Sequence, residues 1–268
     1  MKILIINLDT SQQRLEFQKE QFEHLSLKFE RISAISINDI NEQEYQELGF
    51  GWQRPLRKVE VACFLSHKKA WETVLSNNEP ALILEDDAVL AQNMAAVLAH
   101  LDETNLPEID LINFEVRSRK KIISKHPILK FDHLNLNVFE LYQDRTGAAG
   151  YLLYPSGAKK LLERLRNTAP AIADGFIFST YELNALQVEP ALIIQEDQLE
   201  AYGLSEAEQF ESTIGRSEHH KPIYRSAAEQ EKFKQRRLAG QISMALRYLQ
   251  VIFKAKKRFI VFDKKRFK

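Results

Sequence analysis

The chain has 268 residues, 44% hydrophobic and 28% charged, with a formal net charge of +0. That is enough for one large α/β domain or two small ones around a sizeable core, and the balanced charge gives no global field for nucleic acid. The single cysteine, Cys63, excludes an intrachain disulfide, which fits a reducing cytoplasm, and no stretch approaches the roughly 20 apolar residues that span a bilayer.

Charge is unevenly placed. Lys254–Lys268 holds eight Lys/Arg and one Asp, a net of +7, so the preceding 253 residues carry a net of −7. The start, Met1–Asn7, is too short an apolar run for a signal peptide and reads as a first strand, Ile3–Leu8. Asp9, Thr10 or Ser11 can cap the helix that follows, in which Leu15, Phe22 and Leu25 share a face and Arg14 projects near the start. No glycine-rich loop joins strand to helix, so neither a dinucleotide fingerprint nor a P-loop is present. A nucleotide held here needs side chains such as Asn7 and Arg14.

A second strand is expected around Phe29–Ile35, then a polar helix and loop over Asn38–Gln53. The apolar positions of Val59–Leu75 predict a helix. Within it Ser66 and His67 are either hydrogen-bonded structural residues or members of a site, and Cys63 reads as a buried structural thiol. Next comes Ala81-Leu82-Ile83-Leu84-Glu85-Asp86-Asp87, a short buried strand that ends in three acids. In open α/β sheets, ligands bind at the carboxyl ends of strands. Three adjacent carboxylates repel one another, and a divalent cation would relieve that. The alternative is a solvated acidic turn.

Met94–Leu101 reads as a helix and Ile109–Phe114 as a strand ending in Glu115 and Arg117. Arg117–Lys121 is a basic solvated loop or a phosphate contact, and Ile122–Phe139 an irregular, hairpin-like excursion. The small residues of Thr146–Tyr154 admit a ligand or close strand–helix packing. Pro155 opens a helix with Ala158, Leu161, Leu162 and Leu165 on one face. Asp174, among apolar neighbours, suits proton transfer or a helix cap. A short helix at Tyr181–Leu186 and a strand at Val188–Ile194 follow. Ser205–Ile214 reads as a loop, and Glu218-His219-His220 offers a ligand. Composition changes at Ala227, giving expected units 1–226 and 227–268. Gln241–Phe253 is an amphipathic helix, and the basic, Phe-rich tail after it suits anionic lipid at a membrane surface.

Taken together, Ile6-Asn7-Leu8 with Arg14, Val59–His67 with Trp71, Leu84–Asp87, Gly147–Tyr151, Ile172-Ala173-Asp174, Pro190-Ala191-Leu192 with Gln195-Glu196, and Ser212-Thr213-Ile214 resemble glycosyltransferase family 25. The family usually has Pro-Val-Asp where this chain has Ile172-Ala173-Asp174. The resemblance implies a GT-A-type nucleotide-sugar-binding α/β fold around a mixed, mostly parallel sheet, here with a C-terminal helical basic extension. It implies a UDP-sugar donor, a divalent metal (Mn²⁺, with Mg²⁺ as the alternative), and inverting transfer of galactose to a lipid-linked oligosaccharide of lipooligosaccharide or lipopolysaccharide. Such an enzyme would sit in the cytoplasm, peripheral at the inner face of the bacterial inner membrane. Asn7, Leu8 and Arg14 would border uracil and ribose. Ser66, His67 and Gly147 would shape the donor pocket, and Glu85 and Asp86 would face the donor. Asp87 would hold the metal, with Asp86 within its reach and His219 as a further ligand. Asp174 is the expected base and Glu196 the alternative. The rival readings are a metal-dependent phosphoesterase on a nucleotide-linked substrate and an inactive sugar-nucleotide-binding protein.

Overall fold

A computed structural model describes residues 1–104, 106, 108–144, 146–204, 224 and 226–267. The first half alternates strand and helix: β1 (Lys2–Asn7), α1 (Gln12–His24), β2 (Glu30–Ser33), α2 (Glu42–Leu48), α3 (Lys58–Asn77), β3 (Ala81–Glu85), β4 (Ala88–Leu90), α4 (Met94–Glu103) and β5 (Leu111–Asn113). Then come β6 (Glu115–Val116), β7 (Lys121–Ser124), β8 (Leu129–Phe131), β9 (Leu136–Gln143), β10 (Gly150–Leu153), α5 (Pro155–Leu165), α6 (Ala173–Phe178), β11 (Ala185–Glu189) and β12 (Ile193–Gln195). The last two elements are α7 (Ala227–Val251) and β13 (Ala255–Arg258).

The main sheet runs β13-β7-β9-β11-β5-β10-β3-β1-β2, with β8 paired on β9. Only β9, β10 and β13 run against the common direction. This is the mixed α/β architecture expected. A second, three-stranded sheet, β4-β12-β6, stands at the end of β3. The chain leaves the main sheet at Glu85, turns through Asp86 and Asp87, and enters the small sheet at Ala88. Hydrophobic side chains fill both faces of the main sheet, with Phe64, Trp71 and Tyr151 in one cluster and Leu82, Leu84 and Phe114 in the other. That burial explains why β3 is an unbroken apolar run.

Several expectations need correction. The excursion expected at Ile122–Phe139 does hold a hairpin, β8–β9, but it is not irregular: β7, β8 and β9 are ordered strands. Lys121 is not a solvated loop residue: it is 1% exposed and lies 2.6 Å from Asp144. A buried ammonium requires such a partner, and Gln187 Oε1 at 2.8 Å accepts a further bond from it. The helix expected at Tyr181–Leu186 is a turn leading into β11, and Pro190 divides the strand expected at Val188–Ile194 into β11 and β12. Ser11 takes the N-cap position of α1 but makes no side-chain cap bond. Asp9 instead accepts from Arg31 and Ser33.

The basic tail is built into the fold. β13 is an edge strand on β7, Ile260 is buried, and Phe262 and Phe267 stack on each other. Arg258 pairs with Glu189, with Nη2 to Oε2 at 2.6 Å, and Val261 N–H donates to Glu189 Oε1 at 2.6 Å. Glu189 is nearly buried, so losing its cation leaves a carboxylate without compensation. Arg258→Ala should lower the unfolding free energy by about 2 kcal/mol, read as an earlier urea midpoint. An unchanged midpoint would show that the tail adds nothing to the fold.

Candidate functional site

The acidic turn is held from three sides. Asn7 Nδ2 donates to Asp86 Oδ2 at 2.7 Å, and Arg14 Nη1 donates to Asp86 Oδ1 at 2.8 Å. Burial raises the Asp86 carboxyl even so, outweighing the Arg14 charge and the Asn7 bond. Gln18 Nε2 reaches the carbonyls of Asp86 at 3.1 Å and Ala88 at 2.9 Å. Gln21 joins from one turn further, donating to Ala88 O and accepting from Leu90 N–H. Arg14, Gln18 and Gln21 are spaced i, i+4, i+7, so one polar face of α1 grips the whole turn.

Glu85 is oriented by a different network. Trp71 Nε1–H donates to the Tyr151 hydroxyl at 2.8 Å. Tyr151 in turn lies 2.9 Å from His67 Nδ1, and His67 Nε2 lies 3.1 Å from Glu85 Oε1. An indole N–H can only donate. The whole chain is satisfied when Tyr151 donates to Nδ1 and the Nε2–H of His67 donates to Glu85. His67 is 0% exposed, and burial favours such a fully paired arrangement.

Asp87 differs from both neighbours. Its one side-chain hydrogen bond among the described residues is a long one, from Gln195 Nε2 at 3.5 Å. Burial and the nearby charges of Glu85, Asp86 and Asp197 raise its carboxyl well above the usual range. Its own carbonyl accepts from Glu196 N–H at 3.0 Å.

Two clefts meet at these acids. The first, about 470 Å³, has apolar walls from Leu8, Ile35, Ile37 and Val59, with Arg14 and Asp86 at its polar end. The second, about 340 Å³, is lined by Arg57, Arg117, Gly147, Asp174 and Asp197. Glu85, Asp87 and Cys63 border both. Apolar walls with a few convergent polar groups are the usual form of a small-molecule site.

The expected site residues divide accordingly. Leu8, Arg14, Ser66, His67, Glu85, Asp86 and Asp87 line the first cleft. Ser66 also ties α3 to the strand region, accepting from Ile35 N–H at 2.8 Å and donating to Ala62 O at 2.8 Å. Asn7 lines neither cleft. It is 1% exposed, and its side chain is fully engaged with Asp86, Ser11 O and Arg31, so it braces the turn. Asp86, expected to reach a metal, has both carboxylate oxygens occupied by Asn7 and Arg14. Gly147, expected with the donor, borders the second cleft. Its φ is +115°, and a Cβ there would lie 2.7 Å from Asn113 Nδ2. Glu196 is 4% exposed and lines neither cleft. His219 lies outside the described residues, as do Ser205–Ile214 and Ser212-Thr213-Ile214.

Asp174 sits in the first turn of α6 and lines the second cleft, where burial pushes its carboxyl up to about 6 against a lowering bond from Gly175 N–H. Gly175 N–H donates to Oδ1 at 2.7 Å. Cys63 lines both clefts rather than the core interior. Burial and the acids Glu85, Asp174 and Asp87 raise its thiol well above the ordinary range, which keeps it unreactive.

Arg31 escapes the sequence reading, and Arg117 and Tyr151 gain partners that it did not assign. Arg31 braces Asn7. Arg117 joins Gln195 and lies 2.6 Å from Asp197. Tyr151 links Trp71 to His67. Arg31 is an isolated basic residue on β2 that nothing local marks, whereas Arg117 opens the basic run Arg117–Lys121.

A divalent cation fits the carboxylates more than the soft ligands. Cys63, His67 and Glu85 offer ligand atoms within 4.8 Å of one another. That trio would suit zinc, although His67 Nε2 already lies 3.1 Å from Glu85 Oε1 and Nδ1 2.9 Å from the Tyr151 hydroxyl. Glu85 and Asp87 border both clefts and have no cationic side chain bonded to them among the described residues. Hard oxygens with uncompensated charge suit Mn²⁺ or Mg²⁺.

Residues 1–177 match the model of glycosyltransferase family 25, described as an LPS biosynthesis protein family, and the chain belongs to that family. Among its relatives is the lipooligosaccharide biosynthesis protein lic2B of Haemophilus influenzae, 28% identical over 73% of this chain and 76% of its own. The lacto-N-neotetraose biosynthesis glycosyltransferase LgtE of Neisseria gonorrhoeae is 25% identical over 72% of this chain and 73% of its own. Procollagen galactosyltransferase 1-B of Xenopus laevis is 27% identical over 72% of this chain, which spans 35% of that protein's length.

Glu115 lies beneath the site. It accepts from Ala149 N–H at 2.8 Å through Oε2, while Oε1 is buried without a hydrogen-bond partner among the described residues. Burial pushes its carboxyl from an ordinary 4.5 up to about 8. Between those values the unfolded chain releases a proton that the folded chain keeps, so this group's contribution to stability falls as pH rises. Glu115→Gln removes that loss. The melting temperature of the variant relative to the wild type should climb between about pH 5 and pH 8, by roughly 2–4 °C for each kcal/mol involved. A constant difference across that range would reject the buried neutral carboxyl.

Proposed function

We propose that this chain transfers a hexose, galactose in the first instance, from a UDP-sugar to a lipid-linked oligosaccharide of the lipooligosaccharide or lipopolysaccharide type, with inversion and with a divalent metal, Mn²⁺ or Mg²⁺. The observation that carries this reading is the meeting of two clefts at Glu85 and Asp87. One cleft has flat apolar walls for a base, and the other has a proton acceptor for an incoming hydroxyl. The substrates come from the relatives, one named for lipooligosaccharide biosynthesis and another as a galactosyltransferase. The reaction belongs at the cytoplasmic face of the inner membrane, where such an acceptor is anchored.

In this reading the uracil lies against Ile35, Ile37 and Leu8. Arg14 is neutralised by Asp86, so its part is to hold the turn in place. Asp87 and Glu85 hold the metal, which when bound neutralises the departing diphosphate. His67 keeps Glu85 in one orientation. Asp174 takes the proton of the acceptor hydroxyl. Gly175 N–H occupies Oδ1, which leaves Oδ2 for the acceptor. Gly147, whose missing Cβ makes room for Asn113, places its backbone along the cleft that takes the acceptor.

Asp87→Ala should lower UDP release from UDP-galactose by about 10²–10³-fold in the presence of acceptor. EDTA should stop the wild type, and added Mn²⁺ should restore it. Full turnover in EDTA would remove the metal from the mechanism. UDP release that needs no acceptor would mean phosphoester hydrolysis, and UDP binding without turnover would mean a binding protein.

A base must be ionised to work. With its carboxyl at about 6, Asp174 should make kcat/KM rise as pH passes about 6 and then level off. Asp174→Asn should lose about 10²–10⁴-fold in kcat and flatten the acid limb, with UDP affinity unchanged. A retained acid limb in Asp174→Asn would place the base elsewhere.

A further inference from the structure

Helix α7 has two apolar sides. Phe233 and Val251 are buried against the protein, Gln143 Nε2 donates to Met244 O at 2.6 Å, and a Cβ at Gly240 would meet the Gln53 amide. The opposite side carries Leu238, Ile242, Leu246, Leu249 and, two residues past the helix, Phe253, between 50% and 90% exposed. At about 100° per residue these five span an arc of roughly 80°. A surface helix needs one apolar stripe for its own core, and the second has no partner among the described residues.

Charge identifies what covers it. Between Lys232 and Phe262 the sequence has nine Lys/Arg and no Asp or Glu. Lys232, Arg237, Lys256 and Lys257 are exposed and form no ion pair among the described residues. A second copy of the chain would bring the same exposed cations, Lys232, Arg237, Lys256 and Lys257, toward the contact, so self-association through this face is opposed. An anionic bilayer supplies both missing halves: an apolar interior for the stripe and negative headgroups for the cations.

The helix also borders the acceptor side of the site. Arg236 Nη1 donates to Phe50 O at 2.8 Å, and Trp52 and Arg54, two and four residues on, stack on each other. Arg54 holds Glu60 at 2.8 Å, and Glu60 lines the second cleft.

We propose that the exposed face of α7, rather than the basic tail alone, seats this protein on an anionic lipid surface, with Leu238, Ile242, Leu246, Leu249 and Phe253 in the headgroup–acyl boundary. This rests on the proposed lipid-linked acceptor only for its purpose, since binding to vesicles requires no turnover.

The test is sedimentation of the full-length protein with phosphatidylcholine vesicles, with and without a third of phosphatidylglycerol, over a salt series. The wild type should bind the anionic vesicles, with weaker binding at higher salt, and leave neutral ones largely unbound. Leu246→Glu with Leu249→Glu should weaken binding at least tenfold at an unchanged melting temperature, as should Lys256→Glu with Lys257→Glu. Turnover on a soluble acceptor should not change in the leucine variant. Undiminished vesicle binding by the leucine variant would overturn the proposal. So would a wild-type dimer in solution that the leucine substitutions convert to monomer, because the face would then be a contact between copies. If vesicle binding follows this pattern but no sugar is transferred, the proposed function fails and the membrane face stands.

Discussion

Everything at the site depends on the clamp around Asp86. Three consecutive carboxylates at a strand end repel one another, and in water they would splay apart. Here the middle one is fixed by an amide and a guanidinium, and the backbone from Asp86 to Leu90 is gripped by Gln18 and Gln21. Asp86 is consumed as structure, and this lets its neighbours be displayed. The arrangement uses different elements for each hold: β1 supplies Asn7, α1 supplies the arginine and both glutamines, and β2 supplies Arg31 to hold Asn7 itself.

The three acids therefore have three physical situations, although the sequence writes them as a run. Asp86 is neutralised. Glu85 is aimed by a chain of hydrogen bonds that begins at a tryptophan in the core. Asp87 has almost no donor at all, and its charge is the one most in need of a partner from outside. A cation that enters the cleft meets a gradient of need along three adjacent residues. Its preferred place follows from what the protein has left unsatisfied.

Much of this frame was legible. The apolar runs of β1 and β3 and the periodicity of α3 were each strong, because elements buried on both faces or along a wide stripe leave unambiguous patterns. The motif residues Arg14, Ser66, His67, Glu85, Asp87, Gly147 and Asp174, far apart in sequence, all line one or both of the two clefts. Less was legible where neighbours distant in sequence decide the outcome. Lys121 looks like a loop lysine until Asp144 and Gln187 close over it. Asn7 looks like a ligand contact until Arg31 and Asp86 exhaust its amide. The tail looks like a free basic segment because nothing local says that β7 has an open edge waiting for it. One missed signal was present all along: Arg14, Gln18 and Gln21 form a polar stripe beside the apolar stripe of α1. A reading confined to apolar spacing passes over it.

The β3–β4 turn crosses from one sheet to the other at the acids. Glu85 belongs to the main sheet, where its N–H donates to Ala149 O at 3.1 Å. Asp87 is secured to the small sheet through the Glu196 N–H. The acidic turn is thus a seam between two sheets, and the spacing of Glu85 and Asp87 is set by how those sheets are fastened together. Phe114 fastens them a second time, its N–H donating to Gly150 O and its carbonyl accepting from Leu192 and Ile193 N–H.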